Sequence, residues 1–213
     1  ERSLAITIAR QLGFSIERRR ADTQRELLVA ELSHRVKNTL AIVLSITRQT
    51  FQNETSSTSR IFEGRVRALA QTHGQLAESN WSGASLMTLL ECELAPYRNA
   101  ESNNIALSGP PVVLGPRAAV MLGLAFHELA TNAVKHGALS ASGGRVQVDW
   151  RRDGAAKAVA ISWTERDGPP VAAPPRRGFG RILLERALKA DLRGEVDLRF
   201  LPEGVTCDIP LPA

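Results

Sequence analysis

The chain has 213 residues, 43% of them hydrophobic and 23% charged, with a formal net charge of +5. That is apolar material for one large or two small globular units, while the longest apolar runs, such as Ala118 to Phe126, are far too short to span a bilayer. Aromatics are only 5% and the arginines are scattered, which argues against a nucleic-acid surface; Cys92 and Cys207 have neither metal-ligand spacing nor a disulfide framework, which fits a reducing, cytoplasmic setting.

The chain starts without methionine and in mid-pattern, and its charged first twenty residues lack a cleavage-site pattern, which predicts a piece of a longer protein. Residues 1 to about 51 hold no proline and one glycine and read as helix. Wound at about 100° per residue, Leu28, Leu32, Val36, Leu40, Val43 and Leu44 share one side, with His34, Asn38, Ala41 and Ser45 opposite. His34 is therefore not a core histidine. After a polar loop, Gln52–Ser59, a second helix is expected over Arg60–Ala77 with the stripe Phe62, Val66, Leu69, His73, Leu76. His73 lies on that stripe and reads as structural. Two such helices form a hairpin that cannot bury both stripes alone, and a four-helix dimer completes it.

Past a boundary at Asn80–Ser85 the pattern turns mixed. A helix is expected over Leu86–Asn99, short strands at Ile105–Leu107 and Val112–Leu114, and a long helix over Pro116–His136 with its proline in the first turn. Strands follow at Arg145–Arg151 and Ala158–Thr164, then a Gly/Pro/Arg-rich loop, Arg166–Gly178, and a helix over Arg181–Leu192. A closing hairpin pairs Glu195–Leu201 with Gly204–Pro210. This order predicts an α+β two-layer unit with helices on one face of an antiparallel sheet.

On the long helix, Leu122, Phe126, Leu129, Ala130, Ala133 and Val134 gather on one face, with Glu128, Asn132 and Lys135 on the other and His127 at the border. An acid, an amide and an amine suit a phosphate with its metal: the oxygens take a hard cation and the ammonium meets phosphate. Further on, "WTERDGPP" (Trp163–Pro170) follows a strand, and "RRGFGRILLERAL" (Arg176–Leu188) sets Gly178 and Gly180 before a helix, where backbone amides can approach an anion. Neither the P-loop nor the Rossmann fingerprint is complete.

In this order, the exposed histidine, the acid–amide–lysine helix and the Gly-rich turn resemble the sensor histidine kinases. Those carry a phosphoacceptor on a dimerising hairpin, followed by a Bergerat-type (GHKL) ATP-binding domain. More narrowly the chain resembles the HWE family, named for a histidine in the N box and a Trp-x-Glu in the G1 region. His127 in "HELATNAVKHG" and Trp163 with Glu165 match these, and "SHRVKN" is similar to the family's His-Arg-x-x-Asn phosphoacceptor motif.

The resemblance implies a two-component kinase that autophosphorylates His34, with Arg35 and Asn38 beside it, and passes the phosphoryl group to an aspartate of a cognate response regulator. It implies ATP and Mg²⁺, the metal on Asn132, with Glu128 positioning water or metal and Lys135 on phosphate. Glu165 stands for the acid that recognises the adenine amino group. Gly178 and Gly180 open the turn around the phosphates, and His127, His136, Trp163 and Gly168 complete the implied ATP-binding set. Asp167 departs from the family, standing where glycine is common. The implied organisation is a signalling helix over 1–25 from an upstream sensory domain, a dimerisation and phosphotransfer hairpin over 26–80, and a catalytic domain over 81–213, with a homodimer expected and no nucleic acid or membrane segment. The alternatives are a Bergerat-type ATPase acting on nucleic acid or client proteins, and a non-catalytic phosphotransfer scaffold.

Imidazole, mostly uncharged near neutral pH, offers one nitrogen lone pair to a γ-phosphorus. Exposure lets a second domain deliver ATP and a partner remove the phosphoryl group. Glu31 and Asn38, at i−3 and i+4, are both placed to hold the other ring nitrogen, and Arg35 to steady phosphate charge.

Overall fold

Without a proline to interrupt it, helix α1 runs from Arg2 to Thr50, and α2 returns from Ser57 to Glu78. The computed structural model describes residues 2–51, 57–99, 103–152, 158–171, 179–183 and 196–211; most of the expected Gln52–Ser59 loop, Gly178 and most of the expected Arg181–Leu192 helix lie outside them. The hairpin is tied at one end by Arg48, which donates to Glu63 at 2.7 and 2.9 Å, and at the other by the Trp81 indole, which donates to Ser33 Oγ at 2.5 Å.

The expected α1 stripe divides in two. Val36, Leu40, Val43 and Leu44 are half-buried towards α2, whereas Leu28 and Leu32 remain 64% and 60% exposed. At 100° per residue the latter pair fall in line with the exposed Ile42 and Ile46, so α1 carries a second apolar strip beside the one that α2 covers.

The connection from α2 turns sharply. Asn80 (φ 49°) and Trp81 (φ 58°) are both left-handed, unusual for asparagine and an outlier for tryptophan. The Trp81 ring stands edge-on to His73, centroids 5.4 Å apart. Burial pushes the His73 imidazole below its ordinary range, in keeping with a structural residue.

Two-residue strands β1 (Ala84–Ser85) and β3 (Val113–Leu114) pair antiparallel around α3 (Leu86–Leu94). The Ser85 hydroxyl caps α3 by accepting from the Thr88 amide at 3.3 Å. The expected helix to Asn99 stops at Leu94 and tightens into a 3-10 turn over Ala95–Tyr97, because Pro96 has no N–H to continue the ladder. Helix α4 (Pro116–Lys135) starts with Pro116 behind Gly115.

The main sheet has the order β2 (Ile105–Ser108), β4 (Arg145–Arg152), β5 (Val159–Arg166), β7 (Gly204–Leu211), β6 (Asp197–Leu201). Antiparallel pairing holds except at one edge, where β2 runs parallel to β4, with Ile105 against Val146. The intervening α4 is the crossover that such a parallel pair requires. Strand alternation puts Val146, Val148, Trp150, Ile161, Trp163, Cys207 and Ile209 inward against Leu86, Leu90, Leu122, Phe126 and Leu129. The opposite face carries Gln147, Arg151 and Ala160, all exposed, so the helices cover one face as expected. Small residues on α4 let it approach α2 closely: an ideal Cβ added at Gly123 would lie 3.5 Å from Thr72 Cβ.

Candidate active site

His34 lies exposed on α1. Of the two neighbours expected to hold its ring, only Asn38 does so, its side-chain amide nitrogen 3.4 Å from Nδ1. Glu31 is taken instead by Arg35, whose Nε donates to Oε1 at 2.8 Å. That bond, with the guanidinium charge behind it, holds the Glu31 carboxyl below its ordinary range. Arg35 is thus committed along the helix rather than left for phosphate. The amide engages Nδ1, and Nε2 has no partner among the described residues, so one ring nitrogen is offered outward.

At the end of α4, Asn132, Lys135 and His136 are exposed together. Glu128 does not join them. Its expected place on a solvated face is overturned by α2, where Arg65 forks onto it, Nε to Oε1 at 2.6 Å and Nη2 to Oε2 at 3.0 Å. The Glu128 side chain is only 8% exposed. His127, which periodicity left at the border, is half-buried and meets Glu93 through Nδ1 at 3.0 Å. Its other face packs on α2, where a Cβ added at Gly64 would come within 2.9 Å of Nε2.

Trp163 and Glu165, two apart on β5, both point inward. The Trp163 indole donates to Glu165 Oε1 at 3.2 Å, and the Ala138 amide donates to Oε2 at 2.9 Å. Glu165 is 2% exposed, and this burial raises its carboxyl above the ordinary range, against the two hydrogen bonds that lower it. The acid is closed behind the 3-10 turn Ala138–Ser140. Gly168 packs on the same turn, where a Cβ would meet Ala138 Cα at 2.5 Å. Asp167 holds φ 60°, a left-handed backbone that glycine adopts without strain; its carboxylate faces Arg145 at 3.5 Å across open surface.

Gly180 lies in α5 (Phe179–Ile182), where a Cβ would sit 3.0 Å from both Glu128 Cβ and Oε2. Gly178 falls outside the described residues. The Arg65 guanidinium carbon sits 4.0 Å over the Phe179 ring, so one arginine grips both Glu128 and the Gly-rich turn. A cleft of about 380 Å³ between α2, α3 and α4 is lined by Arg60, Gly64, Glu93, His127, Glu128 and Lys135, among others. The structure thus gathers Glu128, His127, Lys135 and Gly180 around α2, and places Glu165, Trp163 and Gly168 in a separate buried knot. Arg65, Glu93 and Phe179 escaped the sequence reading. Arg65 sits in an ordinary charged stretch, and no local pattern announces a partner 63 residues away.

Comparison with known proteins bears on family and fold. Residues 31–111 match the model of the HWE histidine kinase family. A blue-light-activated histidine kinase of Brucella anthropi is 41% identical over 201 residues, which cover 92% of this chain and 41% of that protein. Its counterpart in Brucella ovis is 40% identical over 200 residues with the same coverage. The chain spans about two-fifths of the length of the curated relatives it matches. Among solved structures, the histidine kinase domain of a blue-light activated histidine kinase from Erythrobacter litoralis aligns with a TM-score of 0.61 at 20% identity, covering 89% of this chain and 93% of that one. A longer chain of the same protein gives 0.63 at 20% identity, covering 87% and 58%. These two alignments establish the likeness of fold.

Proposed function

The chain belongs to the HWE histidine kinase family, and from that premise we propose that it uses ATP to phosphorylate its own His34. It then hands the phosphoryl group to an aspartate of a cognate response regulator in the cytoplasm. The observation that carries the proposal is the His34 imidazole, exposed and contacted at Nδ1 by Asn38, while Nε2 has no partner among the described residues. The amide nitrogen that faces Nδ1 suits a ring protonated at Nε2; attack from Nε2 needs the Asn38 amide to turn so that its oxygen accepts from Nδ1–H, which leaves the Nε2 lone pair free. That lone pair forms the N–P bond to the γ-phosphorus, the bond to the β–γ bridging oxygen breaks, and ADP leaves. The Nδ1 proton passes to solvent as the ring returns to neutrality.

Asn132 and Lys135 fit the phosphate end of the nucleotide, since they are exposed side by side on the last turn of α4. An amide oxygen suits a hard cation and an ammonium suits phosphate. Mg²⁺ held there would neutralise charge on the transferring group. Gly180, with its backbone against Glu128, lies at the same end, where Gly178 is read with it. Glu165 is assigned to the adenine amino group with Trp163 behind it and Gly168 beside it. Because the acid is closed by Ala138, base recognition through it requires the Ala138–Ser140 turn to yield. His127 and His136 are read as walls of the nucleotide site.

We read residues 1–25 as a signalling helix from an upstream sensory domain, 26–80 as the phosphotransfer hairpin and 81–213 as the ATP-binding domain. No helix among the described residues is long and apolar enough to cross a membrane. The exposed strip Leu28, Leu32, Ile42, Ile46 supports a four-helix bundle formed with a second hairpin. Incubation with γ-labelled ATP and Mg²⁺ tests the reaction: label that survives base and is lost in acid supports it, and acid-stable label or none refutes it.

A further inference from the structure

The two ends of the proposed reaction are far apart. His34 follows Ser33, which the Trp81 indole grips just past the C-terminal end of α2. The phosphate-binding end of α4 lies at the other end of the same helix: His127 packs on Gly64, and Lys135 shares the cleft with Arg60. From Gly64 to Glu78, α2 rises about 20 Å at 1.5 Å per residue. Phosphoryl transfer needs the nucleophile about 3–3.5 Å from phosphorus. A partner hairpin in a parallel two-fold bundle would carry its own histidine at the same distant level.

Helix α4 packs on α2 through Gly64 with His127 and Thr72 with Gly123, and the polar contacts between them centre on Arg65. Arg65 forks onto Glu128 and covers Phe179, and Gly180 closes against the same carboxylate. A side-chain fork of this kind is directional and, with Glu128 nearly sealed from water, weakly screened. The connection that must move carries left-handed Asn80 and Trp81, conformations that persist only while surrounding contacts hold them. Trp81 is also the residue bound next to His34.

We propose that the Arg65–Glu128 fork is an autoinhibitory latch, which docks the ATP-binding unit on α2 with its phosphate end turned away from His34. Release of Arg65 frees Glu128 and the Phe179–Gly180 turn, so the unit can pivot about the Asn80–Trp81 connection towards the phosphoacceptor. The inference rests on the reading of His34 as phosphoacceptor and of the α4 end as the phosphate site.

Two variants of the 213-residue chain test it. A Thr72→Cys, Gly123→Cys pair, made with Cys92→Ser, staples α2 to α4, since the Cβ separation of 3.5 Å suits a disulfide. The oxidised staple is expected to label His34 from γ-labelled ATP at least tenfold more slowly than the same protein after reduction. Arg65→Gln is expected to label at least fivefold faster than the unsubstituted chain. Equal rates for the fully oxidised and reduced staple would overturn the latch while leaving the kinase reading intact, because label is present. A folded Arg65→Gln protein labelling no faster than the parent also overturns it. Absence of label from the parent, the reduced staple and Arg65→Gln alike refutes the kinase reading, and the latch falls with it.

Discussion

The Trp163 indole donates to the Glu165 carboxylate at 3.2 Å, and the same carboxylate accepts the Ala138 amide from the turn that follows α4. The Trp-x-Glu pair is therefore a buried tie between β5 and the turn that follows α4. The tryptophan orients the acid rather than lining an open pocket.

This tie gives stability a pH dependence. Burial raises the Glu165 carboxyl, so the folded state binds the proton more tightly than the unfolded chain. The stabilisation is complete below the ordinary value of 4.5 and is lost as pH rises through the elevated folded value. Glu165→Gln has no such proton and keeps one acceptor for two donors, a deficit of about 1 kcal/mol. The melting temperature of the parent should climb relative to Glu165→Gln as pH falls from 7 to 5. Parallel curves would show that the carboxyl is not perturbed.

Asp167 should tolerate glycine but not a branched side chain. Its left-handed backbone suits glycine, and its ion pair with Arg145, at 3.5 Å between exposed groups, contributes little. Asp167→Gly is expected within about 0.5 kcal/mol of the parent. Asp167→Val should lose roughly 1–2 kcal/mol, a fall of several degrees in melting temperature. Equal melting temperatures for the two variants would contradict the assignment of a left-handed backbone.

How far these residues were legible in the sequence depended on the range of the interaction. Helical periodicity placed His34 on the exposed side of α1, Pro116 marked the start of α4, and alternation found β4 and β5 to within two residues. These are local properties of the chain. The direction of β2 is not local: alternation assigns a face, and the parallel pairing with β4 follows from the α4 crossover. Strand β1 is two residues long and leaves no pattern. Glu128 has the spacing of a solvated face, and only the arrival of α2 with Arg65 buries it. Asn132 and Lys135, beyond the reach of that contact, are exposed as expected.

Asn132→Ala should remove autophosphorylation without unfolding the chain, because the residue is exposed. Loss of about a hundredfold in labelling rate, near 3 kcal/mol of transition-state stabilisation, is expected. Circular dichroism establishes the fold. Labelling within twofold of the parent would remove Asn132 from the metal site.

Assembly is open to direct measurement. Burying Leu28, Leu32, Ile42 and Ile46, each more than half exposed, recovers about 1 kcal/mol per side chain. Sedimentation equilibrium at micromolar concentration should give a dimer, and Leu32→Glu should shift it to monomer. A single species near 23.1 kDa for the parent would refute the four-helix bundle.

The central claim is that His34 carries the phosphoryl group, and His34→Gln tests it most directly. An exposed side chain replaced by one of similar size leaves the hairpin intact, so any loss is chemical. Incubated with γ-labelled ATP and Mg²⁺, the parent should acquire base-stable, acid-labile label and the variant none. Equal labelling of His34→Gln would place the phosphoryl group elsewhere and contradict the account.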